Sequence, residues 1–273
     1  MPVGVSRTLR YPFQGLELPI TGATFFIYRT QLSIISHEII TQLYCAATIK
    51  EKWSDVQNVI RSIDNTMLKW RHSLPREFDI NFEQWDKPDW TDPHTLDRLA
   101  LALHFNSSRM ILFRPCLCRF EGRLNGQSEE SRIFNRNTVE SCIRSARNTI
   151  AVMESVPQFS GLLFSVSPWW HILHYLCEAL SILVLEIAYR SEHLPNEAAK
   201  ILEDAKKAVN WLRMMSDRSI SARKAWEIYD ILVKNVAPII RWSTYDMPNT
   251  AFVPPGYKVS LSVPLVSPCN TVR

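Results

Sequence analysis

The chain has 273 residues, 46% apolar and 21% charged, the balance of an ordinary soluble globular protein, which excludes a disordered tail, a collagen or a mucin-like stalk. Only 7 residues are glycine, against a usual share of roughly 7%; with neither a G-x-G-x-x-G nor a Walker A run, the sequence argues against nucleotide-binding α/β folds. A net charge of +4 is too weak over this length to imply nucleic-acid binding.

The apolar periodicity predicts an all-α fold, a single multi-helical domain of about seven antiparallel helices with an irregular C-terminal tail. The first helix is expected from Ala23 to Ile49. The second follows Ser54, with Val56, Val59, Ile60, Ile63, Met67 and Trp70 on one face, and Pro75 stops it. The third begins near Asp92-Pro93 and runs to about Phe113. Asn125 to Arg136 reads as a polar loop, and the fourth helix follows Asn137, with Val139, Ile143, Ala146, Ile150 and Met153 inward. The fifth takes Ser167 as cap and Pro168 as first helical residue. It is apolar nearly all round, the mark of a central buried helix. The sixth starts after Leu194 with Pro195 and turns Ala198, Ile201, Leu202, Ala205, Ala208 and Leu212 inward. The seventh runs from Ser221 to about Ile240 through Ala222, Ala225, Trp226, Tyr229, Leu232 and Val236. This divides the chain into an extended segment 1–19, a helical domain 20–242 and a proline-rich tail 243–273. No stretch reads as a strand, and no repeat is found.

Cysteines at 45, 116, 118, 142, 177 and 269 show no C-x-x-C spacing, so no zinc site is expected, and most fall in apolar helical stretches, as in a reducing compartment. Met1 to Pro19 lacks the order of a signal peptide. Trp169 to Tyr189 is long enough to cross a bilayer, but His171, His174, Glu178 and Glu186 within it argue against a span, and no membrane association is expected. Between Arg109 and Arg147 eight arginines face four glutamates, read either as an anionic partner site or as a solvated helical face.

His171, His174 and Glu178 share a face of the fifth helix and could serve as ligand contacts or as acid and base. With Trp169, Trp170, Tyr175 and Arg109 they are the candidate ligand-binding residues; a satisfied core network is the plainer explanation of the same pattern. One helix supplies too few ligands for a metal. Nine tryptophans fit an aromatic-lined pocket or ordinary core packing. Arg114, before Pro115, suits a helix end, where a cation opposes the dipole. No G-x-S-x-G and no cofactor motif is present.

Four motifs then occur in order. Phe25-Phe-Ile-Tyr-Arg-Thr-Gln-Leu-Ser-Ile-Ile35 leads to Leu43-Tyr44. Trp70-Arg-His-Ser-Leu-Pro75 closes the next helix, and Leu101-Ala-Leu-His-Phe-Asn-Ser-Ser-Arg-Met-Ile-Leu-Phe-Arg-Pro115 is a long apolar helix ending in aromatic-Arg-Pro. Ser221-Ala-Arg-Lys-Ala225 fits the later helices. Over residues 12 to 242 the chain resembles the regulatory middle region of fungal binuclear-zinc-cluster transcription factors. The resemblance implies an all-α regulatory domain of a nuclear protein that often responds to metabolites. The family's six-cysteine DNA reader has no counterpart here, so direct sequence-specific DNA binding is not expected.

Two functions are thereby expected as alternatives. The first is a transcription-regulator-like protein, nuclear, acting through contacts with other regulators or a second copy of itself and gated by a hydrophobic small molecule. The second, compatible with a cytoplasmic location, is the same scaffold repurposed as a cyclase- or isomerase-type enzyme of fungal secondary metabolism, working by proximity in an aromatic cavity.

Overall fold

A computed structural model gives the fold and describes residues 22–46, 48, 51–80, 88–117, 126–156 and 168–247. Seven α-helices follow one another: α1 (Gly22–Leu43), α2 (Trp53–His72), α3 (Thr95–Leu117), α4 (Glu129–Ser155), α5 (Trp169–Ala188), α6 (Ala198–Ser216) and α7 (Ile220–Val236). Short 3-10 turns sit at Arg76–Phe78, Pro195–Glu197 and Ala237–Ile240. No strand occurs among the described residues. The all-α expectation is met.

Each helix buries the face its periodicity offers. On α2, Val56, Ile60, Ile63, Met67 and Trp70 are buried, each large side chain contributing about 1.5–3 kcal/mol. α3 and α5 form the middle of the bundle. α3 packs on α1, α2, α4 and α5, and α5 packs on α3, α4, α6 and α7. α5 is long and apolar enough to cross a membrane, yet half of its apolar stretch is buried against these neighbours. α1 and α3 run in the same direction, since Ser36 meets Ser108 and Tyr44 meets Ile111. α4 and α6 do likewise, through Arg147 to Asp204 and Glu154 to Trp211.

Several boundaries differ from the sequence-based expectation. α4 starts at Glu129, so most of the expected polar loop is helical. The inward face of its opening turns is mostly polar, Ser131 and Asn135 on Gln57 of α2 beside the single ring of Phe134, and so shows no apolar period. Those turns are fixed instead by Ser128, whose side chain accepts from Ser131 N–H at 3.2 Å, a cap that stabilises by roughly 1 kcal/mol. α3 runs through Pro115 to Leu117 rather than stopping at Phe113. α1 stops at Leu43, before the expected Ile49. α2 begins at Trp53 rather than after Ser54. Pro168 is the N-cap of α5, not its first helical residue; Ser167 lies outside the described residues. Pro195 opens a single 3-10 turn before α6, and α7 gives way to another at Ala237. On α7 the expected Ala222 and Val236 are buried and Ala225, Trp226 and Tyr229 pack partly buried against the core; Val233 and Asp230 are buried beside them, Asp230 paired with Lys234 at 2.7 Å.

The expected segment 1–19 and all of the tail beyond Met247 lie outside the described residues. Before that point the tail is held to α6: Lys206 pairs with Asp246 at 2.8 Å, and Met247 is buried.

Candidate functional site

The first turns of α5 carry six of the seven candidate residues, and the helix sorts them by face. Trp169, Trp170 and His174 are exposed, while Tyr175 is buried and Glu178 is nearly so. Their rings form a chain, Trp169 to Trp170 at 5.8 Å, Trp170 to His171 at 6.1 Å and His171 to Tyr175 at 6.3 Å. His174 Nε2 lies 3.9 Å from Glu178 Oε2. The same carboxylate oxygen accepts from Ser107 Oγ on α3 at 2.6 Å. Burial pushes the Glu178 carboxyl up to about 7, with the Ser107 hydrogen bond and the charge of Arg114 pulling the other way.

α3 and α1 complete the site. His104 lies one turn before Ser108 on α3, and its Nε2 is 3.4 Å from Ser36 Oγ on α1. Ser36 Oγ is also 2.6 Å from Ser108 Oγ. Burial first, and then the charge of Arg29 on α1, hold His104 down at about 4. The same two causes lower His171. Tyr175 is raised by burial, against the pull of Arg29. One guanidinium therefore acts on three rings from two other helices. The α1–α3–α5 junction is a polar network inside an apolar bundle.

Arg109 is not part of it. Its side chain points to α2, where Nε lies 3.4 Å from Asp64 Oδ1, and its guanidinium covers Phe105 and Phe113 at 5.7 and 4.9 Å. Arg114 lies 5.2 Å over the Tyr44 ring. The arginine-rich segment is thus dispersed: Arg132 pairs with Glu129 at 2.6 Å, and Arg147 with Glu197 and Asp204.

Periodicity did not pick out Arg29, Ser36, His104, Ser107 or Ser108. The available signal was the run His104, Asn106, Ser107, Ser108 within the apolar α3, where Asn106, Ser107 and Ser108 are buried. Polar side chains inside a core need partners, and here two of those partners are Ser36 and Glu178.

The arrangement can hold and move a proton at Glu178 and can present a positive field. It offers no activated thiol: burial pushes Cys177 up to about 11. Among the described residues no group of three or more His, Cys, Asp or Glu side chains is placed to hold a metal. Two open clefts lie elsewhere, one of about 680 Å³ between the starts of α2 and α4 at Trp53, Gln57 and Ser131. The other, about 230 Å³, lies at Lys206, Trp226 and Asp246.

No family model matches the chain, and no solved structure matches it. Among curated proteins it is similar to the transcription regulator galc of Aspergillus niger, at 25% identity over 259 residues, or 84% of this chain. The chain spans 31% of that relative's length. The likeness covers most of the helical bundle, so the chain is a region related to a fungal transcription regulator.

Proposed function

We propose that the chain is a helical regulatory domain of a nuclear transcription regulator, one that works through its helical body rather than by direct DNA contact. The observation that carries this reading is the similarity to galc over 84% of the chain. In this reading the α1–α3–α5 junction is the gate: a small molecule bound there alters how the three helices meet, and the change is passed on by protein contact. The exposed Ile220, Ile228, Ile239 and Trp242 on and after α7 supply an apolar surface suited to such contact. The test is a fusion of the whole chain to an unrelated DNA-binding domain, assayed on a reporter in a fungal host. A severalfold change in reporter output against the DNA-binding domain alone is expected; an unchanged output overturns the reading.

A second reading has one observation in its favour. Glu178, nearly buried and titrating near 7 beside Ser107, has the properties of a general acid–base. An isomerase or cyclase would place its substrate against that carboxyl. Loss of turnover in Glu178→Gln, with folding intact, would favour this reading.

A further inference from the structure

A cleft of about 680 Å³ opens between the first turns of α2 and the start of α4. Sites for drug-sized ligands usually run to roughly 300–1,000 Å³. The cleft shares no residue with the α1–α3–α5 junction, and neither function proposed above uses it.

Its back wall is built from side chains of both helices. Gln57 is buried, and its Nε2 donates to Asn135 Oδ1 at 2.7 Å and to Ser131 Oγ at 2.9 Å. Trp53 Nε1 donates to the same Asn135 oxygen at 3.2 Å, and Asn135 Nδ2 donates to Gln127 Oε1 at 3.0 Å. A polar network between helices is costly unless its members are paired, and when paired it is rigid. These side chains lock one another, so the wall is formed before anything binds. Beside the network the Arg61 guanidinium of α2 lies 4.9 Å over the Phe134 ring of α4. Its Nη1 donates to Asn58 Oδ1 at 2.9 Å, which leaves the fork with further donors.

The lining narrows the occupant. Two cations, Lys52 and Arg61, are matched by two acids, Glu51 and Glu130, so the formal charges cancel. A phosphate ester carries nearly two negative charges near neutral pH and calls for a surplus of cations. The rest of the polar lining is uncharged, the amides Gln57, Asn58 and Gln127 and the hydroxyls Ser54, Ser128 and Ser131. Both kinds donate and accept, as do the hydroxyls of a polyol. An apolar metabolite would strip water from these groups and give nothing back. Bound peptides use a sheet edge, an apolar groove or an aromatic proline track, and the cleft is none of these. Trp53 and Phe134 also line it and offer apolar surface to the C–H face of a sugar ring.

We propose that the cleft between α2 and α4 binds a neutral oligosaccharide of at least two rings, its hydroxyls on the amide and hydroxyl lining and on Arg61, and one ring face against Trp53.

The test titrates the whole chain with maltose, cellobiose, lactose and sucrose, and with glucose, tetraglycine and inorganic phosphate as controls, read by calorimetry and tryptophan fluorescence. At least one disaccharide is expected to bind with a Kd below about 5 mM, and at least about fivefold more tightly than any control. With no net charge in the contact, that affinity should change less than about twofold between low and high salt. Asn58→Ala and Arg61→Ala, at exposed positions of α2, should each weaken it severalfold. Asn58→Trp puts a bulky ring into the cleft and should abolish binding while circular dichroism and Tm stay native. Failure of all four disaccharides to bind, or undiminished binding in a folded Asn58→Trp chain, overturns the proposal. Tetraglycine as tight as any sugar overturns it in favour of a peptide groove. Phosphate as tight as any sugar, with a steep salt dependence, overturns it in favour of an anion site.

Discussion

The Tyr44 hydroxyl donates to the Ile111 carbonyl at 2.6 Å. Ile111 precedes Pro115 by one helical turn, and proline has no N–H to return to that carbonyl. Tyr44, just past the end of α1, supplies the missing donor, and the Arg114 guanidinium covers its ring. Tyr44→Phe is expected to cost about 0.5–1.5 kcal/mol, the worth of one partly exposed hydrogen bond. In a Pro115→Ala background the helix regains its own N–H, and the same substitution should cost only a few tenths of a kcal/mol. Urea unfolding of the four proteins measures the coupling; equal costs in both backgrounds would refute the explanation.

That joint also shows how much was legible in the sequence. The Leu43-Tyr44 and Phe113-Arg114-Pro115 motifs were visible as separate strings, and the fold brings them together. The other two behave alike. Trp70 Nε1 donates to the Tyr28 carbonyl at 3.2 Å, and Tyr28 Oη donates to the Ser73 carbonyl at 3.4 Å. Trp70 then stacks on Phe105 of α3, ring centres 5.8 Å apart. Helix number and type were readable because burial imposes a 3.6-residue period. The start of α4 was not, because the inward face of its first two turns is mostly polar, Ser131 and Asn135 on Gln57, and only Ser128 marks it. The site was half readable. His171, His174, Tyr175 and Glu178 share one helix and so show a spacing, whereas Arg29, Ser36 and His104 join them only through tertiary packing. Arg109 was misplaced because helical spacing does not say which neighbouring helix a side chain meets.

Glu178 and His104 set opposing pH dependences. Glu178 moves from an ordinary 4.5 to about 7 on folding, so between these values the folded chain binds more protons than the unfolded one and stability falls as pH rises. His104 moves from 6.5 down to about 4, so over that range the unfolded chain binds more protons and stability rises with pH. Each effect is on the order of 3 kcal/mol when complete, less for His104 in proportion to its contact with water. In the native chain the two largely cancel between pH 4.5 and 6.5. Glu178→Gln should unmask a rise in stability from pH 4 to 6.5 and leave the protein more stable than native at pH 7.5. His104→Gln should unmask a fall from pH 4.5 to 7. Thermal melts across this range test both; identical slopes in all three proteins would show that neither group titrates as described.

Glu186 holds the turn between α5 and α6. It is fully buried and accepts from His193 N–H at 3.0 Å, Leu194 N–H at 3.3 Å and His193 Nδ1 at 2.7 Å. The chain between them passes through positive φ at Arg190 (61°) and Ser191 (53°), a conformation that costs about 1 kcal/mol or more per residue. Glu186→Ala strands two backbone donors and should cost about 2–4 kcal/mol. Glu186→Gln keeps an acceptor and should recover at least half of that. Urea midpoints give the cost, and amide exchange at His193 and Leu194 locates it. A loss below about 0.5 kcal/mol for the alanine variant would mean the turn is held by something else.

Arg109 and Asp64 pay for burial on both sides, in opposite directions. Burial lowers Arg109 and raises Asp64, and each is pulled back by the other. Their 3.4 Å pair is mostly shielded from water, with 18% and 25% of the side chains exposed. Removing one partner leaves the other charge without compensation, so Arg109→Met and Asp64→Leu are each expected to cost about 1–3 kcal/mol. The double variant replaces the pair by apolar contact against Phe105 and Phe113 and should be close to native in stability. A double-mutant cycle measures this, and simple additivity of the two losses would contradict it.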